Sequence, residues 1–304
     1  MSTPRFLTLP PGVNRTTVET SRGRFAALEA LPGSGVTERY PALLVPGYTG
    51  SKEDFIAVLQ TLAASGRRVL AIDLRGQYQS EGPDDPSAYT RAALGDDVAA
   101  IAGTLGPEPV HLVGHSFGGL VVREAILSER VEPASATLMS SGPAGVTGQA
   151  AAKARALRDA IPDLGMPAIW SISLEPEYQR RGVAPEVLDF LKARTLGNRE
   201  TGLVRMAREI LTAPDRVDEL AKHAEDTGLR TLVLYGEDDD VWDPRAQAAM
   251  AERLGAARVV IPSAAHSPAV EAPETTAGAL LGFWAESERN HRPPDPAPPG
   301  SAKR

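Results

Sequence analysis

The stretch Val110-His111-Leu112-Val113-Gly114-His115-Ser116-Phe117-Gly118-Gly119 decides the reading of this chain. Residues 110–113 make an apolar run of strand length, and residues 117–127 continue as an apolar helical segment. Between them lies a Gly-x-Ser-x-Gly pentapeptide, residues 114–118. In that setting a strained strand-to-helix turn lifts a serine hydroxyl above the carboxyl edge of a sheet. Gly114 and Gly118 let neighbouring backbone approach the turn, and Gly119 extends that room. Taken alone the pentapeptide is a weak pattern, and an inert serine is its bland reading. The flanking strand and helix make Ser116 a candidate nucleophile.

The same rhythm runs outward in both directions. Upstream, residues 42–45 and 68–72 read as strands, and residues 54–64 and 89–105 as helices. Downstream, residues 136–139, 231–235 and 258–261 read as strands, with helices at 243–254 and 273–287. Strands alternating with helices of this length predict βαβ units and a mostly parallel sheet, an α/β fold. Residues 17–20 and 24–29 flank Ser21-Arg22-Gly23 and predict a hairpin at one sheet edge. From residue 142 to about 226 the rhythm stops, leaving helix-like pieces at 150–160, 185–195 and 199–211. The expected organisation is a core of residues 1–142 and 227–290, a helical cap of 143–226, and a tail of 291–304. That tail is proline-rich, with too little apolar surface to order itself.

Composition narrows the partners. Of 304 residues 42% are hydrophobic and 23% charged, which suits a globular chain with a real core. A net charge of -7 leaves no basic field for a phosphate backbone, so nucleic acid is not expected. The absence of cysteine removes disulfides, thiolate metal sites and a cysteine nucleophile. Residues 1–15 hold no apolar signal-peptide core, and no stretch approaches the ~20 apolar residues of a membrane span. A cytoplasmic protein without a membrane partner is the expectation. Oligomeric state stays open, a homo-oligomer included.

A serine at its ordinary pKa needs an adjacent base. Five histidines are available. His111 falls within a strand, His223 in the insertion and His291 in the tail. His115 adjoins the serine, but side chains of adjacent residues diverge on a tight turn, which gives it a supporting place. His266, in the loop 261–268 after the last strand, shares the sheet edge with Ser116 and is the candidate base. It also completes the order serine, acid, histidine along the chain.

The base needs a carboxylate to hold its tautomer. The preceding strand leads into Gly236-Glu237-Asp238-Asp239-Asp240-Val241-Trp242-Asp243-Pro244, and composition does not choose among these acids. Such clustering also suits a calcium loop, but the glycine and closing glutamate of an EF-hand are missing. No metal and no cofactor are expected. For the oxyanion hole, one donor should be the Phe117 amide. The other should come from the loop after residues 42–45, where Gly47 permits an unusual backbone and Tyr48 or Thr49 offers an N–H. A plain Pro-Gly turn is the alternative.

Four stations, PGYTGSKEDF (46–55), DLRGQYQS (73–80), GHSFGG (114–119) and the GEDDDVWDP with AAHSPAVEAPE pair, resemble the α/β-hydrolase family in order. The likeness covers nearly the whole chain except the tail. It implies Asp239 as the triad acid, with Asp240 second, Tyr48 as the first oxyanion donor, and a helical cap. Tyr48, Phe117, Trp170 and Trp242 are the substrate-binding candidates, with Met166, Tyr178 and Met206 as further lining. Packing of the cap's own core is the rival reading for the cap residues. Two departures are Pro46-Gly47, where the family often has His-Gly, and Gln77-Tyr78, where it often has a His-Gly pair. The implied activity is ester hydrolysis of a small-molecule acyl substrate. Thioester, lactone, amide or carbon–carbon cleavage on the same triad, or a non-catalytic receptor on the same fold, are the alternatives.

Overall fold

The computed structural model describes residues 2–36 and 38–291. The chain opens with strands β1 (Val13–Thr20), β2 (Gly23–Ala30) and β3 (Arg39–Val45). Then follow helix α1 (Ile56–Ala64), β4 (Arg67–Ile72), α2 (Arg91–Ala102), β5 (His111–His115), α3 (Phe117–Leu127) and β6 (Ser135–Met139). A helical excursion comes next, with α4 (Gly148–Ile169), α5 (Glu175–Arg180), α6 (Pro185–Gly197) and α7 (Glu200–Leu211). The remaining elements are α8 (Val217–Thr227), β7 (Thr231–Gly236), α9 (Pro244–Leu254), β8 (Ala257–Ile261), α10 (Pro268–Glu271) and α11 (Pro273–His291).

The strands form one sheet in the order β1-β2-β4-β3-β5-β6-β7-β8. Pairings from β4 through β8 are parallel, while β1–β2 and β2–β4 are antiparallel. The expected edge hairpin is there, and so is the parallel α/β sheet. Both faces of the central strands β3 to β7 are covered, so those strands are buried almost throughout. Alternation still sorts them. Leu43, Val45, Leu70 and Ile72 point to the core under α2, α3, α8 and α9, whereas Ala42, Leu44, Val69 and Ala71 join the core under α1, α10 and α11. Each fully buried leucine, isoleucine or valine among them contributes roughly 1.5–3 kcal/mol.

Element boundaries shift where capping decides them. Helix α2 starts at Arg91, not at residue 89, because Thr90 Oγ1 accepts the Ala93 N–H at 3.1 Å. The expected insertion of residues 143–226 needs a correction at its end. Val217, Leu220 and Ala224 of α8 pack into the same core as Val122 and Ala125 of α3 and Met250 and Leu254 of α9. Their spacing marks an apolar stripe but not its partner, so sequence could not tell a sheet-flanking helix from a helix of the insertion. Helix α11 runs to His291, one residue into the stretch expected as a tail, and residues 292–304 lie outside the described residues. Among the described residues no helix is long and apolar enough to cross a membrane.

The excursion breaks at Gly165 (φ 70°) between Pro162 and Pro167, and a π-helical turn, Trp170–Leu174, follows α4. Its apolar residues form two small cores. Ile161, Met166, Ile169 and Leu203 pack with Tyr48 from the turn after β3. Trp170, Tyr178, Val187 and Leu191 make the second. Both crossings between excursion and sheet are held by one buried guanidinium. Arg123 of α3 donates to the Pro143 carbonyl at 2.7 Å and to the Pro214 carbonyl at 3.2 Å.

Candidate active site

Strand β5 ends at His115 and α3 begins at Phe117, so the whole reversal falls on Ser116, with φ 56° and ψ -122°. A non-glycine residue held there costs of order 1–3 kcal/mol and persists only where its surroundings fix it. Two contacts do so. The Ser116 N–H donates to the Met139 carbonyl of β6 at 2.8 Å, and α3 approaches β3 so closely that a methyl at Gly118 would stand 2.4 Å from the Val45 oxygen.

The loop after β8 carries His266 to this point. Ser116 Oγ donates to His266 Nε2 at 3.0 Å, and His266 Nδ1–H donates to Asp239 Oδ1 at 3.0 Å. The serine, the histidine and the first-choice acid are therefore in one hydrogen-bonded row, while Asp240 is exposed. Asp239 is buried, and burial alone would raise its pKa. The hydrogen bond and charge of His266, with donors from Val241 and Gln247, reverse this and leave the carboxyl below its ordinary range. Gln247 of α9 donates to Asp239 Oδ2 at 2.9 Å and to the Trp242 carbonyl at 3.1 Å. A glutamine on a helix face that is otherwise apolar was the signal available for it.

His115 takes the supporting place expected of it. Its Nε2–H donates to the His266 carbonyl at 2.7 Å, with ring centroids 5.0 Å apart. Burial, followed by the nearness of His266, pushes its pKa down to about 4, so it stays neutral. Trp242 also lies beside the row, 6.1 Å from the His266 ring, with its indole N–H donating to Ala144 O at 3.1 Å.

The turn after β3 presses against the serine at Gly47. Gln77 holds that turn, its Nε2 donating to Gly47 O at 3.0 Å, so the residue that departs from the family pattern braces the loop. Phe117 opens α3, and a first-turn amide has no acceptor within its own helix. The Tyr48 and Phe117 amides thus belong to two backbone segments that meet at Ser116. The Tyr48 ring enters the Ile161–Met166–Leu203 core, where its buried hydroxyl has no hydrogen-bond partner among the described residues and burial raises its pKa.

Two substrate-binding expectations are corrected. Trp170 is buried against Tyr178, Val187 and Leu191, inside the excursion's own core, because its π-helical turn directs the indole there. Phe117 buries its ring completely in the core on one face of the sheet, leaving only its backbone to meet a ligand. Tyr178 lies with Trp170, Met166 packs with Tyr48, and Met206 Sδ is 3.9 Å from Gln77 Nε2. Among the described residues no cluster of acids and histidines is arranged to hold a metal ion.

A sheet of this order, with a serine on the reversal after β5 and a histidine after β8, defines an α/β hydrolase. A sequence profile described as the alpha/beta hydrolase family matches residues 42–279, and the chain belongs to that family. Among solved structures it is similar to a thermophilic esterase from Thermogutta terrifontis, at 25% identity and TM-score 0.70, covering 90% of this chain and 99% of that one. The enol-lactonase from Burkholderia xenovorans LB400 shares the fold at TM-score 0.68 and 21% identity, over 89% of this chain and 100% of that one. In sequence, a proline iminopeptidase from Lactobacillus delbrueckii subsp. bulgaricus is 32% identical over 108 residues, 34% of this chain. The match spans 37% of that relative's length.

Proposed function

We propose that this chain is a serine hydrolase that cleaves carboxylic esters of small molecules through an acyl-enzyme. The unbroken row Ser116–His266–Asp239, with both links at 3.0 Å, is the observation that carries the reading. His266 Nε2 takes the proton as Ser116 Oγ adds to the ester carbonyl. Asp239 holds the other ring nitrogen protonated and supports the imidazolium as it forms. The amides of Tyr48 and Phe117 receive the developing oxyanion, each such donor being worth roughly 3 kcal/mol of barrier. His266 then gives its proton to the departing alcohol. Water enters, loses a proton to His266 and releases the acid by the same steps reversed. These steps use only side chains, backbone amides and water.

Helices α4 to α7 act as a cap in this reading. The apolar core that they build packs against Tyr48 of the oxyanion turn, and covering a bound substrate there would strengthen the electrostatics of the reacting centre. The likeness to an esterase over 90% of the chain supports ester over amide cleavage. Thioesters, lactones and a prolyl amide are the competitors on the same residues.

The test joins a fluorophosphonate label with a panel of p-nitrophenyl esters, acyl thioesters, lactones and prolyl p-nitroanilide. Label on Ser116, ester turnover as the strongest activity, and loss of up to ~10⁶ in rate for Ser116→Ala are expected. An unlabelled serine would leave the non-catalytic receptor standing. Preferred cleavage of another bond would replace the ester.

A further inference from the structure

We propose that Asp54 couples the cap to the oxyanion turn through Arg194, which makes Arg194 a positioning residue for acyl transfer. The inference rests on the ester-hydrolase reading above.

Asp54 is the penultimate residue of the segment 46–55, which begins at the turn beside Ser116. Its carboxylate has two separate tasks. Oδ2 accepts the Ser51 N–H at 3.3 Å, bracing the turn from within. Oδ1 accepts Arg194 Nη1 at 2.9 Å, and Arg194 stands on α6 of the cap, 140 residues away in sequence. Both side chains are buried, at 3% and 1% exposure, so solvent does not screen the pair. Arg194 also donates Nη2 to the Ser2 carbonyl at 2.7 Å and lies over the Phe190 ring.

The same segment is tied to the sheet by a second buried cluster. Lys52 gives its backbone N–H to Asp73 Oδ1 and its ammonium to Asp73 Oδ2, both at 2.8 Å, and pairs with Glu53 at 3.1 Å. Asp73 sits at the end of β4 and is fully buried. Lys52 is thereby fixed to the core whether or not the cap moves. The Asp54 carboxylate, which braces Ser51, leans instead on Arg194.

The consequence follows from burial. A carboxylate without solvent remains charged at low cost only while a cation lies against it. With Arg194 withdrawn, Asp54 is a buried carboxylate without its cation and has to rotate towards water, which weakens its hold on Ser51. From Ser51 the path is short: Gly50 N–H donates to Gly47 O at 3.0 Å, and Gly47 abuts Ser116. A seated cap therefore completes the oxyanion turn, and an unseated cap loosens it. The acyl substrate meets a full oxyanion hole only when covered.

The experiment uses the full chain with p-nitrophenyl butyrate and a fluorophosphonate. Arg194→Gln should lower kcat by about tenfold or more while KM stays within about threefold, and should slow phosphonylation of Ser116 in parallel. Arg194→Lys should restore most of the lost kcat, because the ammonium can still meet Asp54. Arg199→Gln, on an exposed cap pair with Asp84, should match wild type. A folded Arg194→Gln with wild-type kcat, or a loss confined to KM, overturns the coupling. Should Arg194→Gln not fold, Asp54→Asn carries the same test, and wild-type kcat in that folded variant overturns it equally. A wild type that neither turns over the ester nor takes the label overturns both this inference and the function beneath it. Reactive wild type with unaffected variants overturns the coupling alone.

Discussion

A methyl group on Gly47 would stand 2.9 Å from the Cβ of Ser116 and 3.3 Å from its Oγ. The turn after β3 and the serine reversal are thus in van der Waals contact through a position with no side chain. Gly47→Ala must push the turn away from Ser116 or push Ser116 off its hydrogen bond to His266. Loss of one oxyanion donor costs about 10²–10³ in rate, and a kcat loss of that order is expected with little loss of stability. Steady-state kinetics beside a thermal melt checks it. Unchanged kcat would mean that the turn plays no part.

Asp239 and Asp240 are neighbours with opposite surroundings. Asp239 is buried and accepts from His266, Val241 and Gln247, whereas Asp240 is exposed. Asp239→Asn should drop kcat by ~10⁴, since the amide favours the wrong histidine tautomer. Asp240→Asn should stay near wild type. Parallel assays of the two variants decide between the acids, and equal losses would contradict the geometry.

His115 is expected to shape the acid limb of stability. Its pKa, ordinarily 6.5, lies at about 4 in the fold. Between those values the unfolded chain binds a proton that the folded chain does not. Stability therefore falls as pH drops through that window, by at most about 1.4 kcal/mol per unit. His115→Gln keeps an N–H for the His266 carbonyl and removes this titration. Asp73, raised to about 6 by burial with Lys52 opposing, acts with the opposite sign in an overlapping window, but it is present in both proteins and cancels in their difference. Urea unfolding of the pair from near neutrality down to about pH 4 should show the variant gaining on wild type. A constant difference between the two would refute it.

Arg123 ties both crossings of the excursion to the helix that follows the serine. Arg123→Leu keeps the apolar bulk and leaves the Pro143 and Pro214 carbonyls without that donor. A loss of about 1.5–3 kcal/mol is expected, the range for hydrogen bonds to a charged group. Limited proteolysis should move to residues 143–146 or 213–216. Cleavage as in wild type would show that the crossings are held by other contacts.

The elements nearest the chemistry were legible because their signals are local. The strand, pentapeptide and helix around Ser116 occupy consecutive residues, and the His266 loop follows its strand directly. Gln77 stood out in the sequence only as a departure, and its bond to Gly47 depends on where two separate loops meet. Gln247 and Arg194 gave weaker signals still, since a polar residue on a helix has many partners available to it. For Trp170 the sequence leaves pocket and cap core both open, because large aromatics line pockets and cores alike.

By itself the sequence determined the parallel α/β sheet, the serine reversal and the loop that supplies the histidine. Apolar periodicity and backbone strain act over a few residues, so one dimension carries them. Tertiary structure alone decided that Trp170 turns inward and that Arg194 reaches Asp54, and it set against His266 the aspartate that only the family resemblance had singled out. Each of those depends on the direction of a side chain and on burial by segments distant along the chain, and neither quantity exists until the segments pack.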